Sequence, residues 1–576
     1  MKSLRLVLAL SAPLALAACQ TSEEIRPAVS APAADIPGPT IPGVVSAADP
    51  RATEAGVEIL RQGGSATDAA IAVMLALTVV EPQSSGIGGG GFFLHHDDNG
   101  ELITIDGRET APSQAGADWF LGADGEPLGY REAVIGGRSV GVPGNIALAA
   151  EAHAAHGKLP WEDLFQPAIR LASEGWELTP RFVNYAERVR ERAAHQAEGE
   201  ALFFDHEGNI LPVGTRVTNP ELAQTLEALA RSGPDHFYDT MAEGLAEHVA
   251  ENTPGDAGMA ETDITSYSAT ARDALCGTYR EHLICSMGPP SSGATTVLAI
   301  LGQLERFDIG AMGAESVTAW HLFAESQRLA YADRELYLAD PDFVPVPAQQ
   351  LVDPTYLAER SQLISPDMRM AEPDAGVPAG VIQAFADGDE PEEHGTSHFA
   401  VVDSSGNVVS WTSTIEGPFG SGLMYGGFYL NNELTDFSFR PERNGAPVAN
   451  RVEGGKRPRS SMAPTIVFDI DGNPVLAIGA AGGGTIPVQV AKALMGYIDW
   501  GLSAQDAIAL PMLYSPGDTV SLEEDNAVPG LQEGLEALGH SVTTRSLPLK
   551  ANAVEWVGDG WIGAADPRSE GTSAAQ

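Results

Sequence analysis

Hydrophobic and polar positions fall into distinct textures along the chain. Leu6 to Ala18 is apolar except for Ser11 and Pro13, and residues 20–43 are rich in Pro, Ala and Ser without periodicity. Ala52 to Gly63 carries helical spacing and closes at Gly63-Gly64. Thr67 is placed to cap a second helix, Asp68 to Val80, which is nearly all apolar and so is expected to be buried. A Gly-rich turn then leads into two strand-like runs joined at Asp97 to Gly100. Helical patterns dominate from Pro143 to about Ala250, and Ser316 to Leu338 reads as a long amphipathic helix. From Asp367 to Gly395 the chain is acidic, Gly- and Pro-rich and weakly patterned, as in an exposed linker open to cleavage. Alternation takes over after Gly395. Ser397 to Ile415 reads as a hairpin turning at Ser404 to Gly406. FYLNNE, PTIVFD and NPVLAIGAAGG supply further strands, and Val488 to Trp500 a helix.

The first stretch is an address rather than a structural element. Lys2 and Arg5 precede an apolar run too short to span a hydrocarbon layer of ~30 Å, which is the pattern of a secretory signal. Ala15-Leu16-Ala17 fits ordinary signal cleavage. Leu16-Ala17-Ala18-Cys19 resembles a bacterial lipobox, in which Cys19 is lipidated, and is favoured because residues 20–43 read as a tether. The expectation is an exported protein, periplasmic or anchored to a membrane.

Charge and cysteine count narrow the classes. Lys plus Arg total 33 against 78 Asp plus Glu, a net charge of −45, which repels phosphate backbones and argues against nucleic-acid binding. Three cysteines exclude a disulfide scaffold. Cys276 and Cys285 flank a hairpin-like stretch and are either bridged or two buried thiols. Gly86 to Gly91 matches G-x-G-x-x-G, but it follows a helix and precedes a strand, the reverse of the dinucleotide-binding order; a tight backbone turn is the better reading. No metal-ligand spacing of histidines and no G-x-S-x-G elbow occurs, and no metal or cofactor is expected.

The border between linker and sheet carries the chemistry. Cleavage of the Gly395–Thr396 bond would make Thr396 an N-terminal residue whose hydroxyl is the nucleophile and whose own α-amine, with a pKa near ~8, accepts the proton. The stretches GGSATDAA, GGGGF with IDGRETAP, SMGPPSSG, GTSHFAVVD, GFYLNNELTDFS, RPRSSMAPT and AADPRS together resemble the gamma-glutamyltranspeptidases, of the N-terminal nucleophile hydrolases, from about Val44 to Pro567. The resemblance implies an α+β fold, a four-layer αββα sandwich. It also implies an autocleaved precursor, with residues 44–395 as the large subunit and 396–576 as the small subunit of a heterodimer.

By position, Thr396 matches the family nucleophile and Thr414 the threonine bonded to it. Gly482 and Gly483 match the oxyanion-hole glycines. Arg108, Ser460 and Ser461 match the groups holding the substrate α-carboxylate. Asp436, Glu433 and Glu416 match those around the α-ammonium. His398 is expected to pack rather than to react. The loop between Phe437 and Ser460 is short and lacks the tyrosine with which long-lid relatives cover the substrate, so an open cleft is expected.

The implied activity is cleavage of γ-glutamyl amides such as glutathione, with an amino acid, a peptide or water as acceptor. A glutaryl-type cephalosporin acylase of the same family is the alternative, and its substrate would leave Asp436, Glu433 and Glu416 with less purpose. A non-catalytic lipoprotein that binds γ-glutamyl peptides is a third reading, against which the presence of Thr396 counts.

Overall fold

The computed structural model describes residues 41–255, 258–388, 395–524 and 528–576. The signal, Cys19 and the tether up to Thr40 lie outside the described residues.

Two antiparallel sheets form the centre. In the first, the strands lie in the order Thr572–Ala575, Val44–Ala47, Ser397–Val402, Val408–Thr414, Gly90–His96, Leu102–Gly107 and Thr270–Arg272. In the second the order is Trp561–Ala565, Lys550–Trp556, Pro474–Ala481, Thr465–Phe468, His282–Met287 and Ala274–Tyr279. Successive strand side chains point to opposite faces, so the layering can be read residue by residue. Phe92, Leu94, Ala400 and Val402 pack with Ile466 and Ile478 of the second sheet. Their neighbours Phe93, Phe399 and Val401 pack with the helices Pro50–Arg61, Ala66–Val80 and Gln166–Glu174. Helices Gly293–Leu304, Val317–Tyr337 and Ile486–Asp499 join the core of the second sheet. The result is four layers, helix, sheet, sheet and helix, as the resemblance implies.

Local sequence explains the main elements. Every residue of Ala66–Val80 is buried, as its composition predicts. Its cap is Ser65 and not Thr67: Ser65 Oγ accepts from Asp68 N (3.1 Å) while Asp68 Oδ2 accepts from Ser65 N (2.9 Å). That reciprocal pair needs an acidic residue three places after the cap, which Ser65 has and Thr67 lacks. The long helix runs Val317–Tyr337, within a residue of the expected span, and Ser316 caps it. The hairpin after Gly395 forms as expected, with Ser397 opposite Ser413. Cys276 and Cys285 stand opposite each other in an antiparallel pair and are bridged.

The glycine turn is backbone packing. A Cβ at Gly88 would fall 2.1 Å from Tyr429 O, and one at Gly89 would fall 1.9 Å from Thr414 O. Only hydrogen fits there, which fixes the end of strand Val408–Thr414 against the first glycine strand. The linker that begins at Asp367 is tied down at its start by Arg328 to Met370 O (2.7 Å), Arg360 to Asp374 O (2.8 Å) and Tyr337 to Gly376 O (2.6 Å). It then becomes exposed, with Ile382 at 87%.

Candidate active site

Thr396 immediately precedes strand Ser397–Val402, and Thr414 ends the neighbouring strand. Because Ser397 pairs with Ser413, the next pair along brings the two threonines together, and their Oγ atoms are 3.0 Å apart. Thr414 Oγ also accepts from Glu416 N at 2.8 Å, which leaves its own proton for Thr396.

The backbone here is strained. Thr396 has φ 84°, Glu416 70° and Phe419 64°. Such values cost of order 1–3 kcal/mol each for non-glycine residues. Gly395 is pressed against the opposite strand: a Cβ there would fall 1.6 Å from Glu416 O. Thr396 N donates to Ser84 O at 2.9 Å. Directly behind, Ser397 Oγ donates to Glu81 (2.6 Å), and Lys550 Nζ bonds both oxygens of Glu81 (2.9 and 3.1 Å), all buried. Burial lowers the Lys550 pKa, with Glu81 pulling it back up. His398 is buried with Nδ1 2.9 Å from Thr412 Oγ1, and burial holds its pKa at about 3, so it is neutral.

Arg108 follows strand Leu102–Gly107 and is 1% exposed. It forms ion pairs with Glu433 and Asp436 and donates to Pro458 O (3.1 Å) and Arg459 O (3.2 Å). Glu433 and Asp436 share one 3₁₀ turn, three residues apart, so they project on one side. Asn431 anchors that turn: its Oδ1 accepts from Glu433 N (3.0 Å) and Gly141 N (2.9 Å). Carboxylate oxygens of Glu416, Glu433 and Asp436 lie within 4.8 Å of one another. Burial raises the Asp436 pKa, with the Arg108 guanidinium opposing it. Next door, burial pushes Glu109 up to about 8.

Nine of the ten expected residues line one cavity of about 280 Å³: Thr396, Thr414, Gly483, Arg108, Glu416, Glu433, Asp436, Ser460 and Ser461. Gly482 is the exception. It sits behind the wall against Pro548 O and Thr485, and Gly483 and Gly484 form the surface. The Gly483–Thr485 turn runs directly into helix Ile486–Asp499, so its N–H groups add to a helix N-terminus.

Sequence reasoning missed the opposite wall. Tyr331, Arg334 and Glu335, one turn of the long helix, line the cavity with Tyr514. Arg334 donates to Ser461 Oγ and Ser292 Oγ, both at 2.9 Å, and pairs with Glu335. Ser292, from SMGPPSSG, in turn holds Ser460 O through its N and Oγ, each 2.7 Å. The available signal was a pair of charged residues on a helix face that is otherwise buried. Ser84 was also missed, because a backbone carbonyl has no sequence signature.

No residue of the loop 438–459 lines the cavity, in keeping with the expected open cleft. Phe439 is instead stacked on Phe120, centroids 4.3 Å apart. Gly388, from the linker, does reach the cavity lining.

A threonine opening a central strand of a four-layer sandwich is the architecture of the N-terminal nucleophile hydrolases. Residues 52–576 match the sequence profile of the gamma-glutamyltranspeptidase family, and the chain belongs to that family. It is 35% identical to the glutathione hydrolase proenzyme of Bacillus subtilis strain 168 over 88% of this chain and 86% of that one. It is equally 35% identical to the acylase ACY 1 proenzyme of Pseudomonas sp. strain V22, over 92% and 93%. Among solved structures, the cephalosporin acylase of Bacillus halodurans superposes with a TM-score of 0.82 at 26% identity, covering 93% of this chain and 96% of that one. The protein is therefore an enzyme of hydrolase or acyltransferase type from a family that processes a precursor into two subunits and acts on γ-glutamyl donors.

Proposed function

We propose that the protein is a γ-glutamyltransferase or glutathione hydrolase that cuts itself between Gly395 and Thr396. The observation that carries this is one cavity holding Thr396 beside a guanidinium, two serines and three carboxylates. A free glutamyl headgroup is a zwitterion, and it needs both signs of charge. Arg108, Ser460 and Ser461 would take its α-carboxylate, and Glu416, Glu433 and Asp436 its α-ammonium. The donor would enter by displacing part of the Arg108 ion pairing with the two acids.

In the matured protein, Thr396 Oγ attacks the γ-carbonyl carbon and its proton passes to the Thr396 α-amine, held by Ser84 O. The N–H groups of Gly483 and Gly484, which line the cavity, would face the oxyanion, with Gly482 shaping the turn behind them; one such donor is worth ~10²–10³ in rate. The leaving amine takes the proton from the α-amine, and a γ-glutamyl ester of Thr396 remains. Water or an acceptor amine then resolves it. The substrates would be glutathione or a similar donor, with an amino acid, peptide or water as acceptor. No metal or organic group takes part in these steps. Cys19 would be the lipid anchor of an exported precursor.

A glutaryl-type acylase is the second reading, supported by the acylase relatives. It gives the three carboxylates no incoming cation. Kinetics of the matured protein with γ-glutamyl-p-nitroanilide beside glutaryl-p-nitroanilide test the choice. A preference for the γ-glutamyl compound is expected, and a preference for the glutaryl compound contradicts it.

A further inference from the structure

A cluster of basic residues lies away from the catalytic cavity. A second cavity of about 670 Å³ is lined by Arg181, Arg188, Arg192, Arg545 and Arg568, with Glu570 as the one lining carboxylate. This occurs in a chain with 33 basic and 78 acidic residues. Chance placement would make such a lining acidic. Low-dielectric walls concentrate the potential of these guanidinium groups inside the cleft.

The arginines are not all neutralised by the protein. Arg568 is paired with Asp566 (2.7 Å) and Glu523 (2.8 Å), and Arg545 Nε donates to Ser521 Oγ (3.0 Å). Arg181 and Arg188 form no ion pair with any described residue. Arg181 Nε is buried and has no hydrogen-bond partner among the described residues. Both guanidinium groups are carried on one ring, with Cζ 5.3 and 6.0 Å from the Tyr185 centroid, which fixes their orientation before any ligand arrives. Glu570 Oε1 accepts from Arg181 N at 2.9 Å, and its single negative charge is set against five lining guanidinium groups.

We infer that this cleft is a binding site for a small multivalent oxyanion, a di- or tricarboxylate or a phosphate. Guanidinium forks match both groups bidentately. The cleft is separate from the glutamyl site and lies behind the oxyanion turn. Pro548 lines it, and the Pro548 carbonyl is the group packed against Gly482.

The test is calorimetric titration of the matured protein with citrate and, in a second arm, with pyrophosphate, each against chloride at equal ionic strength. Saturable binding of either anion is expected, weakened about tenfold or more in Arg181→Gln/Arg188→Gln. The variant should keep the wild-type KM for γ-glutamyl-p-nitroanilide, since neither residue lines the catalytic cavity. Binding in the citrate arm alone marks a carboxylate site, and binding in the pyrophosphate arm alone marks a phosphate site. If the double variant unfolds, Arg188→Gln alone, at an exposed position, takes its place. Absence of saturable binding in both arms, or binding unchanged in the variants, overturns the inference.

Discussion

Thr414 Oγ lies 3.0 Å from Thr396 Oγ while accepting from Glu416 N at 2.8 Å. With one acceptor site taken by Glu416 N, Thr414 still has its proton to donate to Thr396 Oγ, and the contact holds the side chain of the residue that reacts. Thr414→Val removes that bond with little change in volume. We expect kcat to fall about tenfold or more with KM nearly unchanged, and Thr414→Ser to restore most of it. Steady-state kinetics on the γ-glutamyl anilide check both. A rise in KM alone would assign Thr414 to binding.

Gly395 tests the geometry of scission. With a Cβ only 1.6 Å from Glu416 O, alanine cannot enter without moving the strand end that carries Thr414. Gly395→Ala is therefore expected to accumulate as one uncut chain on a denaturing gel. Cleavage at the wild-type rate would show that the close approach is irrelevant to the cut.

Much of this was legible in the sequence, for identifiable reasons. The period-2 alternation from Ser397 to Ile415 has a single solution, a hairpin with its turn at Ser404 to Gly406. A nearly all-apolar helix such as Ala66–Val80 has nowhere to lie but inside. Thr396, Arg108 and Asp436 stand out through the family resemblance of the motifs that hold them, and they line one cavity. What escaped were contacts created by tertiary folding. Arg334 reaches Ser461 from a helix 127 residues away in sequence, and its spacing reads equally well as a solvated charge. Ser84 acts through a carbonyl. Gly482 and Gly484 are interchangeable in a run of glycines until the turn is built and only one faces the cavity. Thr67 offers a capping hydroxyl but lacks the acidic partner three places on that Ser65 has in Asp68.

Glu109 gives a pH signature in stability. Its folded pKa is raised from 4.5 to about 8 by burial, and neither carboxylate oxygen has a hydrogen-bond partner among the described residues. Between those values the folded state keeps a proton that the unfolded state has released. Stability from this group is thus full below about pH 4.5 and is lost as pH rises toward 8, with a slope of up to ~1.4 kcal/mol per pH unit. Glu109→Gln mimics the neutral acid. Its Tm relative to wild type should rise steadily from pH 5 to pH 8. A constant difference would mean that Glu109 ionises normally.

Asp436 should separate the two substrate classes. Asp436→Asn removes a charge from the cluster of three carboxylates and one partner from Arg108. Loss of a partly desolvated charge partner typically costs 2–5 kcal/mol. We expect kcat/KM for the γ-glutamyl anilide to drop about a hundredfold while the glutaryl anilide, with no ammonium, loses far less. Equal losses on both would place Asp436 in structural support of Arg108.

The pivotal step is the release of an α-amine on the residue that attacks. Intact mass and N-terminal sequencing of the purified, active protein test it directly. The account predicts two fragments, the smaller beginning at Thr396, and a single inactive chain for Thr396→Ala. An uncut chain that hydrolyses the γ-glutamyl anilide at the full rate would contradict it.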